Sequence, residues 1–281
     1  MESVCDRFKM DMELRNYSPH TRVCYLACIR RFLSHFPQSP EEIGKEEIRA
    51  YLHHLITEKK VSQAVVGQTY SALKFFYGVT LERDWSTFRI PRVKTSRGLP
   101  VVLTREEAYA LISATENLKY RAILATIYSG GLRVSEATHL RVSDIDSDRM
   151  MIHVGYAKRG RNRYTVLARY TLNLLREYWR AYRPHDWLFP GRPPSKPIGR
   201  RSVEYVFRKA LSQTGIKKHA VIHSLRHSFA THLVEAGTNL CHIQQLLGHA
   251  SPRTTAIYLR LSPKDIGRIV SPLDVMMDSA G

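Results

Sequence analysis

The chain has 281 residues, enough for two domains, and 43% of them are hydrophobic, which excludes a disordered polymer. Its 43 lysines and arginines against 25 acids give a formal charge of +18, which points to a polyanionic partner, nucleic acid or an anionic membrane surface, before an ordinary basic enzyme. No stretch approaches the ~18 apolar residues of a membrane span, the acid-bearing Met1–Lys9 does not read as a secretion signal, and four cysteines make no disulfide framework, which fits a reducing cytoplasm.

The first part of the chain reads as helical. A helix is expected over about 3–14, and Ser18-Pro19 supplies an N-cap and a proline at N1 for the next. From that cap Thr21, Tyr25, Ile29, Phe32 and Leu33 follow at helical spacing. Stripes of Ile48, Tyr51, Leu52 and Leu55, and of Tyr70, Leu73, Phe76 and Tyr77, predict helices over 45–58 and 62–78 and read as core. Four short helices make a small bundle. Cys24 and Cys28 stand four apart on this pattern, with no further ligand to complete a metal site, and read as small buried residues.

The basic, turn-rich stretch from Arg89 to Pro100 has no periodicity and reads as a linker. Charge is uneven across it: +4 over residues 1–95 and +14 over 96–281. Thr104-Arg-Glu-Glu107 is a capping box, and helices are expected over 105–115 and 119–128. Met150–Tyr156 and Arg163–Leu167 read as two strands joined by the basic turn Ala157–Asn162. Helices over 170–182, 202–213, 224–236 and 239–247 follow, the last two stopped by Gly237 and Gly248, and another starts at Ser251-Pro252.

Three segments carry possible chemistry. In Ser129-Gly-Gly-Leu-Arg133-Val-Ser-Glu136 an arginine follows a glycine break at the start of a short helix; a solvated capping turn would read the same way. In His223-Ser-Leu-Arg226-His227 the first histidine and the arginine share a helix face. Zinc on His223, His227 and His232 is disfavoured, because there is no HExxH and an arginine is a poor neighbour for a cation. In Leu247-Gly-His249 a histidine follows a helix-ending glycine, and Tyr258 comes nine residues later; a core tyrosine is the plainer alternative.

Taken together these residue types suit one task. Two guanidiniums grip the non-bridging oxygens of a phosphodiester, and histidines donate to the same oxygens. A lysine protonates a leaving alkoxide, and a tyrosine hydroxyl attacks phosphorus and holds it covalently. Positive charge spread over the pentavalent transition state makes a metal unnecessary.

On these motifs, in this order and spacing, the chain resembles the tyrosine recombinases, also called the phage integrase family. Tyr17-Ser-Pro-His-Thr-Arg-Val-Cys-Tyr25 and Ser71-Ala-Leu-Lys-Phe-Phe-Tyr77 resemble its N-terminal core-binding domain. The resemblance implies a mainly α fold with one small β-hairpin or sheet: a SAM-like helical bundle over 1–88, a linker over 89–103, a catalytic DNA breaking-rejoining domain over 104–262 and a tail over 263–281. It implies Arg133 as the first catalytic arginine supported by Glu136, Lys158 as the general acid, His223 and Arg226 as the His-x-x-Arg pair, His249 at the His-or-Trp position and Tyr258 as nucleophile. Arg159, Arg161, Arg163, Arg200 and Arg201 are the expected contacts to DNA.

The hairpin turn, Lys158-Arg-Gly-Arg-Asn162, departs from the commoner Lys-Gly-x-x-Lys, and Leu259-Arg260 replaces the usual Thr-His or Ser-His after the nucleophile. The likeness is to simple Xer-like or transposon-borne members. It implies a cytoplasmic site-specific recombinase or integrase with no cofactor and no metal, acting on a specific double-stranded DNA site through a 3′-phosphotyrosyl intermediate, as a tetramer. A type IB topoisomerase, or a non-catalytic DNA-binding protein on the same scaffold, are the alternatives; the presence of all six catalytic side chains argues against the second.

Overall fold

A computed structural model describes residues 2–91, 99–155, 162–249 and 251–261. The chain divides into two compact units, Met1–Gly98 and Leu99–Gly281. Residues 92–98 of the expected linker, and the expected tail, lie outside the described residues. Among the described residues no helix is long and apolar enough to cross a membrane.

The first unit is built on α1 (Glu2–Leu14), α2 (Pro19–Leu33), α3 (Lys45–Thr57) and α4 (Gln63–Phe75). Ser18 caps α2 by accepting the Thr21 N–H at 3.2 Å, and Pro19 takes the first helical position, where its missing donor costs nothing. The expected stripes face inward: Ile29, Phe32, Ile48, Leu73 and Tyr77 are buried with Phe8 and Met12 of α1. The last helix does not run on as a regular α-helix to residue 78. It widens into a π turn over Phe76–Thr80, and the wider turn lets three consecutive aromatics, Phe75, Phe76 and Tyr77, all reach the core. Phe8 receives the first two edge-on, with ring centroids 5.7 and 5.5 Å away. Cys28 is buried beside Thr69, Cys24 is half-buried, and neither is in a disulfide.

The second unit begins with α5 (Arg105–Ser113), whose capping box is as expected: Thr104 Oγ1 accepts the Glu107 N–H at 3.1 Å and Glu107 Oε2 accepts the Thr104 N–H at 2.7 Å. Next come α6 (Leu118–Gly130) and the one-turn α7 (Val134–Thr138). Then follow β1 (Ile145–Asp146), β2 (Met151–Val154) and β3 (Arg163–Val166), an antiparallel sheet in that order with Ile145 opposite Ile152 and Val154 opposite Arg163. β1 was not anticipated, because two residues are too short to show alternation. The helices α8 (Arg169–Tyr182), α9 (Arg200–Gln213), α10 (Ile222–Glu235), α11 (Leu240–Leu247) and α12 (Pro252–Thr255) complete the unit with a 3-10 turn over Ala256–Leu261.

At its centre α6 and α10 pack on each other. Every residue from Ala122 to Ile127 is buried, so α6 is apolar around its circumference, as an interior helix must be. Thr165 of β3 donates to the Gly130 carbonyl at 2.8 Å and ties the sheet to the end of α6. The ends of α6 and α11 thereby come to the same place as the face of α10 that carries Arg226.

Candidate active site

Gly131 ends α6 in the left-handed region at φ 60°, and the chain turns at once into α7 with Arg133 as its N-cap. Glu136, at the third position of α7, accepts the Arg133 backbone N–H at 2.8 Å on Oε2 and the Arg133 guanidinium at 2.6 Å on Oε1. One carboxylate thus caps the helix and holds the arginine that starts it.

Glu136 is 1% exposed and faces two further guanidiniums. Arg163 of β3 donates from Nη2 to Oε2 at 2.8 Å and from Nη1 to Oε1 at 3.1 Å, and Arg226 Nη1 stands 3.6 Å from Oε2. Burial alone would raise the Glu136 pKa, but the hydrogen bonds and charge of Arg163, the Arg133 amide and the Arg226 charge outweigh it and hold the carboxyl at about 2.

Arg226 is the largest fully buried side chain among the described residues. Its Nη1 donates to the Gly131 carbonyl at 2.6 Å and its Nη2 to the Leu247 carbonyl at 2.7 Å. These are carbonyls at the C-terminal ends of α6 and α11, where the helix dipoles concentrate negative charge. Burial, then Arg133, pull its pKa down while Glu136 opposes them. A guanidinium so placed stays charged.

His249 follows Gly248, the left-handed cap of α11. Its Nε2 accepts from Arg226 Nη2 at 3.1 Å and its Nδ1 lies 2.9 Å from Thr255 Oγ1, which fixes the Nδ1–H tautomer when the ring is neutral. Burial and the charges of Arg226, Arg133 and Arg163 lower its pKa to about 3. Tyr258, in the closing 3-10 turn, is 2% exposed and stacks near-parallel to His249 at 12°. Burial raises its pKa; Arg226 and Arg133 pull the other way. Its hydroxyl is 3.1 Å from His227 Nδ1. His223 stands one turn before His227 at the open edge of the site, its ring perpendicular to that of His227 with centroids 4.7 Å apart.

The structure therefore brings Arg133, Glu136, His223, Arg226, His249 and Tyr258 together. Lys158, Arg159 and Arg161 lie outside the described residues. Arg163 was expected on DNA, but its side chain is 8% exposed and its donors go to Glu136 and, from Nε at 2.7 Å, to the Leu246 carbonyl; it is an internal strut of the site. Arg200 and Arg201 stand exposed on the first turn of α9, where Arg200 pairs with Glu204 at 2.6 Å, and are not brought to Glu136. Sequence reasoning weighed His227 only as a zinc ligand; its four-residue spacing from His223 was the available signal. Among the described residues no group of three or more His, Cys, Asp or Glu could hold a metal ion. The carboxylate at the centre is taken by arginines.

The chain matches the phage integrase family over residues 101–265 and the phage integrase N-terminal SAM-like domain over residues 4–87. It is 40% identical over 277 residues to a Sinorhizobium fredii protein, y4qK, named an integrase/recombinase, covering 98% of this chain and 90% of the relative. It is 35% identical over 275 residues to the tyrosine recombinase XerC of Pelobacter propionicus, covering 91% and 89%. The fold is that of a lambda integrase tetramer bound to a Holliday junction, with a TM-score of 0.74 at 21% identity, covering 89% of this chain and 77% of the other.

Proposed function

The chain belongs to the phage integrase family of tyrosine recombinases, and from that premise we infer a site-specific DNA recombinase in which Tyr258 is the nucleophile. The observation that carries the role is the place of the Tyr258 hydroxyl: buried, bonded to His227, and on a ring stacked against the His249 that Arg226 holds.

The chemistry follows from the charges. Three guanidiniums against one carboxylate leave the cluster with excess positive charge, and a phosphodiester supplies the missing anion. Arg133 and Arg226 bind its non-bridging oxygens, and His223 and His249 line the same place. Tyr258 Oη attacks phosphorus, the bond from phosphorus to the 5′-oxygen breaks, and DNA stays attached to the enzyme through a 3′-phosphotyrosine. Lys158 gives its proton to the departing 5′-oxygen. Attack by a 5′-hydroxyl from a second duplex reverses the step and joins new strands. The basic second unit binds the duplex, and Arg159, Arg161, Arg200 and Arg201 serve the phosphate backbone. Exchange of two strand pairs requires four nucleophiles, so the working form is a tetramer, the state of the lambda integrase it resembles. A cytoplasmic location goes with that substrate.

The test is a nicked suicide substrate that traps the covalent adduct. The wild-type chain forms a protein–DNA adduct and Tyr258→Phe forms none while binding DNA as before. An adduct from the Phe variant rejects the assignment. Recombination between two sites on one plasmid, rather than relaxation alone, separates this activity from that of a topoisomerase.

A further inference from the structure

Outside the roles already given, one titratable side chain among the described residues touches the reacting atom: His227, whose Nδ1 lies 3.1 Å from the Tyr258 hydroxyl oxygen. It lies within α10 and immediately follows Arg226, whose guanidinium is bonded to the Gly131 and Leu247 carbonyls. Its ring is half-buried, packed edge to face with His223 and tilted against Tyr258. Among the described residues, the charged and titratable groups that face it are Arg226 and His223 from its own helix, Tyr258 from the closing turn and His249 from the end of α11.

We propose that His227 is a catalytic base: its Nδ1 takes the proton of Tyr258 as that oxygen attacks phosphorus. The proposal rests on Tyr258 as nucleophile. The Tyr258 O–H bond breaks and its proton passes to Nδ1. The freed pair forms the bond to phosphorus, the pair of the phosphorus–O5′ bond leaves on the 5′-oxygen, and Lys158 protonates that oxygen. In the rejoining step the same proton returns from His227 to the tyrosine oxygen.

The geometry also keeps the base ready. Burial, then the Arg226 charge, lower the His227 pKa to about 4, so at neutral pH the ring is uncharged, and in its Nε2–H tautomer Nδ1 offers a lone pair to the hydroxyl. When a phosphodiester enters, its negative charge offsets that of the guanidiniums and raises the proton affinity of the ring, at the moment a proton must be accepted.

The experiment uses the full chain, the nicked suicide substrate and single-turnover rates of adduct formation from pH 5 to 9. Asn places an acceptor near the Nδ1 position yet cannot take a proton. His227→Asn is expected to slow adduct formation by roughly 10²- to 10³-fold with DNA affinity unchanged. Its rate should climb about tenfold per pH unit through neutrality, where the wild type is flat. Replacing Tyr258 by 3-fluorotyrosine, which ionises more readily, should restore at least about tenfold in the Asn variant and little in the wild type.

A His227→Asn rate within about threefold of wild type, with an unchanged pH profile, reduces the contact to packing. Faster cleavage makes His227 a latch that holds the nucleophile back. Either result overturns the proposal. Should His227→Asn not fold, the otherwise wild-type chain carrying 3-fluorotyrosine at 258 decides: a base keeps the acid limb where it was, and a shift of that limb with the tyrosine overturns the assignment. An adduct from Tyr258→Phe removes the nucleophile itself, whereas an inert Phe variant beside an unaffected Asn variant removes only His227.

Discussion

Arg163 and Glu136 meet fork to fork inside the protein, at 2.8 and 3.1 Å, with 8% and 1% of their side chains open to solvent. The pair binds the sheet to α7, and through the Arg163 Nε bond to the Leu246 carbonyl it binds both to the end of α11. Arg133 and Arg226 complete the ring around the same carboxylate. A buried ion pair adds little to stability by itself, but losing one member leaves charge stranded.

Glu136→Gln is therefore expected to destabilise the second unit by about 3–5 kcal/mol, because it leaves Arg163 and Arg226 buried without their counter-charge. Adduct formation should fall with it even where the protein remains folded. Urea unfolding together with the suicide-substrate assay measures both.

Gly131→Ala tests the turn that presents Arg133. The residue sits at φ 60°, and a Cβ there would overlap the Phe229 ring and come within 3.0 Å of Leu247. The backbone strain and the clash together should cost about 2–4 kcal/mol and displace the carbonyl that holds Arg226. Thermal unfolding reads the loss.

Acid should destabilise the chain well above the range in which carboxylates titrate. His227 and His249 hold folded pKa values of about 4 and about 3 against 6.5 for a free histidine. As pH falls below 6.5 the unfolded chain takes up protons that the folded chain refuses, so stability drops until the folded values are reached. Near pH 4.5 the loss should be about 2–4 kcal/mol after allowing for partial solvent access. Glu136, at about 2, keeps its charge over that window. Urea midpoints in His249→Asn should show a shallower fall.

Lys158→Ala separates acid catalysis from phosphate contact. A 5′-bridging phosphorothioate releases a thiolate that needs little protonation. Cleavage should be severely slow on ordinary DNA and largely recovered on that substrate. Equal impairment on both would reassign Lys158 to binding.

Strand cleavage should persist in EDTA. Arg133 and Arg226 bring the positive charge that a metal brings elsewhere, the neutral histidines can add only hydrogen bonds, and the nearby carboxylate is committed to guanidiniums. Loss of cleavage restored by Mg²⁺ would refute this.

Much of this arrangement was legible because local signals agreed with the fold. Ser18-Pro19 and Thr104 with Glu107 mark helix starts by side chains that bond the adjacent backbone, so they need no tertiary context. Arg133, Arg226, His249 and Tyr258 stood out because their types and order suit one reaction. Arg163 was misjudged for a reason the chain does not display locally: beside Arg159 and Arg161 it looks like surface charge. Only its place two residues before buried Thr165, on the same face of β3 and alternating with exposed Tyr164, marks it as pointing inward. His227 was hidden by its neighbours, since a histidine among histidines suggests a ligand set until Tyr258 is seen against it. The π turn at Phe76 answers a packing demand from α1, which lies more than sixty residues away.

The four residues from Leu246 to His249 each serve the site by a different means: a carbonyl for Arg163, a carbonyl for Arg226, a glycine against which Arg163 lies, and an imidazole. For protein engineering this makes the stretch sensitive to spacing more than to composition. Leu246 serves Arg163 through its backbone carbonyl, which does not depend on the identity of its side chain. A single codon inserted or deleted here slides both carbonyls out of register and unseats two arginines in one event. Attempts to redirect this enzyme to new DNA sites should draw their insertions elsewhere and treat 246–249 as a fixed ruler.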